Sequence, residues 1–105
     1  MIDLEKFKEE YNGLHDAYIS EFIVKNEENL YIEVVFKCYD DYNVKMVFKD
    51  IVNFKYGIDG DYIIYNMFFS YEDGMYTFAT KEDFEDSDEI DYFYVKCGKF
   101  EIEKI

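Results

Sequence analysis

A two-residue alternation of apolar and polar side chains, which begins at Tyr18 and recurs to the end of the chain, constrains the fold more than any other feature. The clearest example is residues 30–38, whose apolar side chains on one face are Leu30, Ile32, Val34, Phe36 and Cys38. Since successive side chains of a strand point to opposite sides, this pattern predicts a strand with one buried face. Residues 18–25 and 44–49 repeat the pattern between polar turns, so we predict a three-stranded antiparallel meander.

The following segments depart from strict alternation. Residues 50–56 break it, which predicts a β-bulge or a strand that crosses to another sheet edge. Residues 62–71 are apolar or aromatic on both faces, which predicts a strand at the sheet centre, or one whose second face meets a helix or a partner. Glu72-Asp73-Gly74 is a hairpin turn signal. Gly98 indicates a bulge in one long strand or a bend between two strands.

One short helix is predicted before the strands. Leu4, Phe7, Tyr11 and Leu14 recur at helical spacing, with Asp3 as the N-cap residue and Asn12-Gly13 as the stop. So short a helix must pack its apolar stripe on the sheet. We therefore predict a mainly β (α+β) fold for residues 1–105 as a single domain. It comprises an antiparallel sheet of six to eight strands, in a sandwich or half-barrel, and one short N-terminal helix.

The charge of the chain limits the classes of partner. The formal net charge is −14, from 25 acidic residues against 11 lysines and no arginine. A chain without a basic stripe is a poor ligand for phosphates, so nucleic-acid binding is not expected. The negative electrostatic field of such a chain attracts basic proteins. The alternative is that the charge only keeps an aromatic-rich protein soluble. Residues 81–91 hold seven of the acids and are predicted to form a solvated loop.

The cysteine pattern and the lengths of the apolar segments indicate the cellular compartment of the protein. Cys38 and Cys97 form neither a disulfide framework nor a zinc spacing, so both are predicted to be buried, reduced thiols. The N-terminus lacks the pattern of a signal peptide, and no segment approaches the ~20 apolar residues of a membrane helix. We expect a cytoplasmic protein that does not bind membranes. The acids near Asp83 lack the spacing of a calcium loop, so no metal and no cofactor are predicted.

The only histidine lies in the sequence Leu14-His15-Asp16-Ala17. His15 follows the helix, where its ring is placed to hydrogen-bond the last helical carbonyl groups, and Asp16 to accept from amides of the same turn. Adjacent residues usually point apart, so the pair is not expected to be a catalytic dyad. No nucleophile-elbow, metal-binding or phosphate-loop motif accompanies it. Both residues are predicted to be structural, and an enzyme is not expected.

The same residues carry a resemblance. Leu14-His15-Asp16-Ala17, then alternating strands, then residues 48–54 (FKDIVNF) resemble a group of small acidic bacterial proteins. In these proteins a Phe-His-Asp-Ala start precedes a strand-rich body with a Phe-x-Gly-Val-like element. The group includes immunity proteins of polymorphic toxin systems, notably the kind called immunity protein 50, and many members of unknown function. This chain has Asp50 where glycine is common.

The resemblance and the charge together predict a non-catalytic protein-binding module, of the immunity type, that neutralises a basic toxin by occluding it. The acidic run is expected to attract the partner and aromatic side chains to anchor it. The predicted binding residues are Glu82, Asp83, Glu85, Asp86, Tyr62, Tyr65 and Tyr71. The alternative is a small accessory or structural domain that self-associates through residues 62–71, since a homodimer is compatible with a two-sided strand.

Overall fold

A computed structural model describes residues 4–10, 14–38, 42–57, 64, 67–81, 84–86 and 92–105. Helix α1 is followed by six strands that form one antiparallel sheet in the order β1-β2-β3-β6-β5-β4. This confirms the predicted fold class. The elements are α1 (Leu4–Glu10), β1 (Tyr18–Asn26), β2 (Leu30–Lys37), β3 (Asn43–Tyr56), β4 (Phe68–Glu72), β5 (Met75–Ala79) and β6 (Phe93–Lys104). Within those ranges, no helix has the length and apolarity needed to cross a membrane.

The alternating residues of β2 and β3 form the centre of the core, as the sequence predicts. Ile32, Val34 and Phe36 of β2 are completely buried. The inward-facing residues of β3 up to Phe48 are buried as well. Phe48 pairs with Phe100 across β3 and β6, and their rings are stacked with centroids 6.0 Å apart. The two longest strands, β3 and β6, lie in the middle of the sheet and supply seven of the 18 buried residues described for the main core.

The break predicted after residue 49 is a bulge in β3. Asp50 has a φ of 53°, in the left-handed region, and the register with β6 shifts between Ile51 and Asn53. At Asp50 the strand skips one inward position, so Ile51 follows Phe48 on the core side after three residues instead of two. Phe54 follows Ile51 after another three, across the register shift. A bulge of this kind bends the strand and increases its twist.

Gly98 lies opposite Asp50, within a single long strand. In β6 the buried positions also skip, from Cys97 to Phe100. A Cβ atom on Gly98 would lie 3.2 Å from the Cβ of Asp50, a closer approach than side chains normally make. Of the two predicted roles for Gly98, the bend between two strands is wrong, because β6 runs unbroken past it. The positive φ belongs to Asp50 of β3, and glycine at position 98 leaves room for its side chain.

The sheet curls around its core. In a flat sheet β2 and β5, which are separated by β3 and β6, would lie about 14 Å apart. Yet the ring centroids of Phe36 in β2 and Phe78 in β5 are 5.9 Å apart. Phe7 of α1 packs edge-on against Phe69 at 5.1 Å and against Phe100 at 6.3 Å. The helix thus packs on the sheet as predicted, and the open, curled sheet corresponds to the half-barrel alternative.

Two strand predictions need correction. Residues 62–71 were predicted to form one strand, either at the centre of the sheet or with its second face against a helix or a partner. The strand β4 begins only at Phe68 and lies at the sheet edge, so a central place is wrong. In β1 a bulge at Ser20 interrupts the alternation, so that both Ile19 and Phe22 face the core. Tyr18 and Val24 remain exposed.

The acidic run is not wholly a solvated loop. Phe84 to Asp86 form a 3₁₀ turn, and Phe84 is buried. Its ring stacks on Tyr94 at 4.9 Å and lies 5.4 Å from the ring of Phe68. A small second core therefore covers the outer face of the sheet at β4, β5 and β6. The second face of the β4 strand, which was predicted to meet a helix or a partner, is thus covered by the short 3₁₀ helix of the acidic run.

Candidate functional site

The backbone of the turn at residues 14–17 is hydrogen-bonded to Ile64. The N–H of Asp16 donates to the carbonyl of Ile64 at 2.8 Å, and the N–H of Ile64 donates to the carbonyl of Ala17 at 2.8 Å. The side chains of Leu14, Ala17 and Ile64 are buried in the main core. The motif is therefore held by its two apolar residues and its backbone.

The side chains of His15 and Asp16 lie at the surface of this turn. They are 43% and 50% exposed, and Nε2 of His15 is 3.6 Å from Oδ2 of Asp16. The prediction that the two side chains point apart is wrong. Asp16 has a φ of 65°, and this left-handed backbone changes the direction of its side chain. A half-exposed contact of this length is weak, and neither of the two surface depressions described below includes His15.

The predicted binding residues that the structure describes do not converge on one surface. Tyr62, Tyr65, Glu82 and Asp83 lie outside the described residues. Glu85 is exposed and lies beside Phe84 on the outer face of the sheet, and Asp86 is the last residue of the same 3₁₀ turn. Tyr71 is in β4 and contacts Tyr76, whose own ring packs against the core residue Phe100. Tyr71 and Glu85 are therefore on opposite faces of the sheet.

The charge of the chain is unevenly divided. Strands β2, β3 and β6 contain seven of the 11 lysines but only four of the 25 acidic residues, so they carry +3. The rest of the chain carries −17. The strands in the middle of the sheet are thus mildly basic in a strongly acidic protein. The negative charge is therefore concentrated outside these three strands.

The outer face of the middle strands is occupied by ion pairs. Two shallow depressions of about 680 and 560 Å³ lie there and share Tyr31 and Lys49. Nζ of Lys49 is 3.2 Å from a carboxylate oxygen of Glu101, and Nζ of Lys99 is 3.8 Å from one of Asp50. Opposite charges therefore compensate each other across this face, as in a solvated sheet surface.

The end of the β4–β5 hairpin combines acids with exposed aromatic surface. We define the hairpin end as Tyr71, Glu72, Asp73 and Tyr76. Asp73 and Gly74 form a two-residue turn with φ values of 53° and 79°, as the Glu72-Asp73-Gly74 signal predicts. The ring of Tyr71 is 42% exposed and lies 4.7 Å from the ring of buried Tyr76. No lysine occurs in β4, the turn or β5.

The titratable side chains whose pKa is raised by burial, Cys97 and Tyr94, are not reactive groups. Cys97 is buried in the main core, and its burial raises the pKa of the thiol to about 12. Burial also raises the pKa of Tyr94, and the carboxylate of Glu85 adds to the effect. A thiol this far from ionisation at neutral pH is not a nucleophile. Cys38 is also buried, and both cysteines are free, as predicted.

Among the residues that the structure describes, no three His, Cys, Asp or Glu side chains are grouped as metal ligands. Comparison of the chain with protein-family models, with curated proteins and with solved structures gives no match. The exposed apolar residues of β1, Ile23 and Val24, were not predicted as a site. Their apolar character can be read from the sequence of the strand. The position of β1 at a sheet edge, however, follows only from the whole topology.

Proposed function

We propose that this protein is a non-catalytic protein-binding module, and specifically an immunity-type protein that neutralises a basic toxin by occluding it. The observation that carries the proposal is the hairpin end, where an exposed tyrosine ring is flanked by two exposed acids and no base. Tyr71 is the one predicted anchor whose position is described and exposed. The resemblance at residues 14–17 and 48–54 supports the choice of a toxin as partner, and such an inhibitor acts in the cytoplasm.

The packing of the hairpin end suits an anchor residue. Tyr76 supports the ring of Tyr71 from behind, and it is held in turn by Phe69 at 6.2 Å and by Phe100 at 5.5 Å. An aromatic side chain that is already held loses little conformational entropy when a partner covers it. Tyrosines in such positions are frequent among the residues that dominate binding energy.

The acids of the hairpin end have a separate role. Glu72 and Asp73 are exposed, so their charges mainly accelerate the approach of a basic partner and contribute little to the lifetime of the complex. The proposal therefore assigns the dissociation rate to Tyr71 and the association rate to the two acids.

The experiment begins with a pull-down from the native host that is washed at low and then at high salt. Association and dissociation rates of the recovered partner are then measured for four variants. Tyr71→Ala should accelerate dissociation by about tenfold or more. Its control is Tyr18→Ala, because Tyr18 is 41% exposed at the opposite edge of the sheet. The double variant Glu72→Gln/Asp73→Asn should slow association at low salt and leave dissociation unchanged.

A charge-matched control separates a local effect from net charge. Glu27→Gln/Glu28→Gln removes the same two charges at exposed positions in the β1–β2 turn. Equal slowing by the two double variants would show that the hairpin end does not orient the partner. Unchanged dissociation of Tyr71→Ala would remove the anchor from the proposal.

A second candidate function is an accessory domain that self-associates through the segment at residues 62–71. The observation that favours it is the place of β4 at an open sheet edge. This candidate predicts that Tyr71→Ala lowers the apparent mass of the free protein in light scattering, whereas the toxin-binding proposal predicts no change in mass.

A further inference from the structure

The strand β1 forms the other edge of the sheet, and it is longer than β4. It spans nine residues and pairs with β2 alone in the described part of the chain. At an edge, alternate residues direct their backbone N–H and C=O groups away from the sheet, where another strand can pair with them. Among the residues that the structure describes, the outer side of β1 is therefore a template for one more strand.

Most of this edge is regular. The bulge at Ser20 disturbs only the start of β1, and from Glu21 to Asn26 every residue keeps its register with β2. Natural edges are usually blocked by bulges, prolines or several lysines. The regular part of β1 has one lysine and no proline, and it exposes Ile23 and Val24 at 40% and 44%. Nothing in the strand itself prevents edge-to-edge pairing.

The two faces of β1 follow from its pairing with β2. Phe22 and Val24 lie opposite the core residues Val34 and Ile32, so they are on the core side. The residues between and beside them, Glu21, Ile23 and Lys25, are therefore on the outer side. Each side of the edge thus has its own short row of residues.

When two copies of β1 lie side by side, each row of residues can pair with the same row of the other copy. In an antiparallel pair of β1 strands with a twofold axis at Ile23, Glu21 of each copy faces Lys25 of the other, and Phe22 faces Val24. An axis at Val24 would place Glu21 against Glu27, and parallel in-register pairing would place Glu21 against itself. Opposite charges stabilise a directly opposed cross-strand pair, and like charges destabilise it. One register is favoured, and its partner strand has this same sequence.

Lys25 is already held in a suitable place. Its Nζ lies 3.7 Å from a carboxylate oxygen of Glu33 and 5.7 Å from the ring centre of Tyr31, both on β2. The side chain of Lys25 is 40% exposed, so a carboxylate of a second copy can approach it from the open side. Because the lysine is already ordered by β2, less entropy is lost when the second pair forms.

We propose that two copies of this chain associate by antiparallel pairing of their β1 strands about a twofold axis at Ile23. The two six-stranded sheets then form one continuous sheet, and both hairpin ends remain at its outer edges. Isologous contacts of this kind are the commonest form of homodimer. The inference is independent of the proposed function, because β1 and β4 are opposite edges.

The test uses charge reversal and heterodimer formation. Glu21→Lys places two lysines opposite each other in its own homodimer, and Lys25→Glu places two acids there. A mixture of the two variants restores both pairs, because each lysine of one chain then faces an acid of the other. Glu28→Lys is the control for Glu21→Lys, because it makes the same charge change in the exposed turn, outside the regular pairing.

The mass is measured by sedimentation velocity at protein concentrations up to about 0.5 mM, so that a weak dimer is also detected. Added salt screens the net negative charge of the two copies. The parent chain and Glu28→Lys should approach twice 12.8 kDa as concentration rises. Each reversal alone should raise the dimer Kd by about tenfold or more, since two symmetric pairs become repulsive. The mixture should recover the parent Kd. A parent chain that stays monomeric, reversal variants that dimerise like the parent, or a mixture that stays monomeric would each overturn the proposal.

Discussion

The buried thiol of Cys97 should make the protein lose stability in alkaline solution. Burial raises the pKa of this thiol to about 12 from its ordinary value of 9.0, so the folded chain keeps the proton where the unfolded chain releases it. Between these two pH values the unfolded state binds fewer protons than the native state. The free energy of unfolding therefore falls as pH rises. The stabilisation is fully present below about pH 9 and is lost towards pH 12.

The magnitude follows from the difference between the two pKa values. At pH 10 about nine in ten unfolded chains have lost this proton, which corresponds to a loss of about 1.4 kcal/mol from the free energy of unfolding. Tyr94, whose pKa is also raised by burial, shifts the curve in the same direction. A variant that lacks only the thiol is therefore needed to isolate the contribution of Cys97.

The assay is urea unfolding of the parent and of Cys97→Ala at pH 8 and pH 10. At pH 8 the variant should be less stable, because it leaves a small cavity in the core. By pH 10 the gap between the two proteins should have shrunk by about 1.4 kcal/mol, because the variant has no thiol to ionise. Val95→Ala is the control, since Val95 is completely buried in the same strand and has no titratable group. If both variants keep a constant gap from the parent, the reasoning about the thiol is refuted.

Three further outcomes test the packing. Labelling of Cys38 and Cys97 by a thiol reagent should be slow in the native protein and complete in denaturant, and fast native labelling would contradict their burial. Gly74→Ala should lower the free energy of unfolding in urea by about 1–2 kcal/mol from backbone conformation alone, because φ is 79° and a Cβ there meets no atom within 4 Å. Phe84→Ala should cost about 3 kcal/mol or more in the same assay, and a loss below 1 kcal/mol would mean that the acidic run is not anchored by this ring.

The period of two was sufficient to predict the strands in the first half of the sheet. Each of β2 and β3 has one face in the core and one in solvent, so its hydrophobic pattern directly reports its orientation. The Glu72-Asp73-Gly74 hairpin was predictable for another local reason, since a two-residue turn requires positive φ at both central positions. These features depend on neighbours in sequence, and sequence therefore predicts them.

The place of β4 was not predictable from its own residues. An apolar strand with two covered faces is expected in the middle of a sheet, but here the second cover comes from Phe84, a single aromatic residue within an acidic run. One apolar residue has no periodicity, so no pattern indicated that it folds back on Phe68 and Tyr94. The contact between His15 and Asp16 was missed for a similar reason, because a positive φ at an aspartate has no clear sequence signal.

The irregularity at Asp50 and Gly98 connects the fold to the surfaces proposed for binding. Because both middle strands skip one inward position at the same level, the sheet can bend sharply there while its core face stays apolar on both sides of the bend. The bend brings β2 and β5 into contact through Phe36 and Phe78, yet β1 and β4 do not pair. A sheet that closed completely would satisfy both edges and leave no strand template. The curl is therefore enough to enclose a core, and it leaves β1 and β4 as edges for the two contacts proposed above.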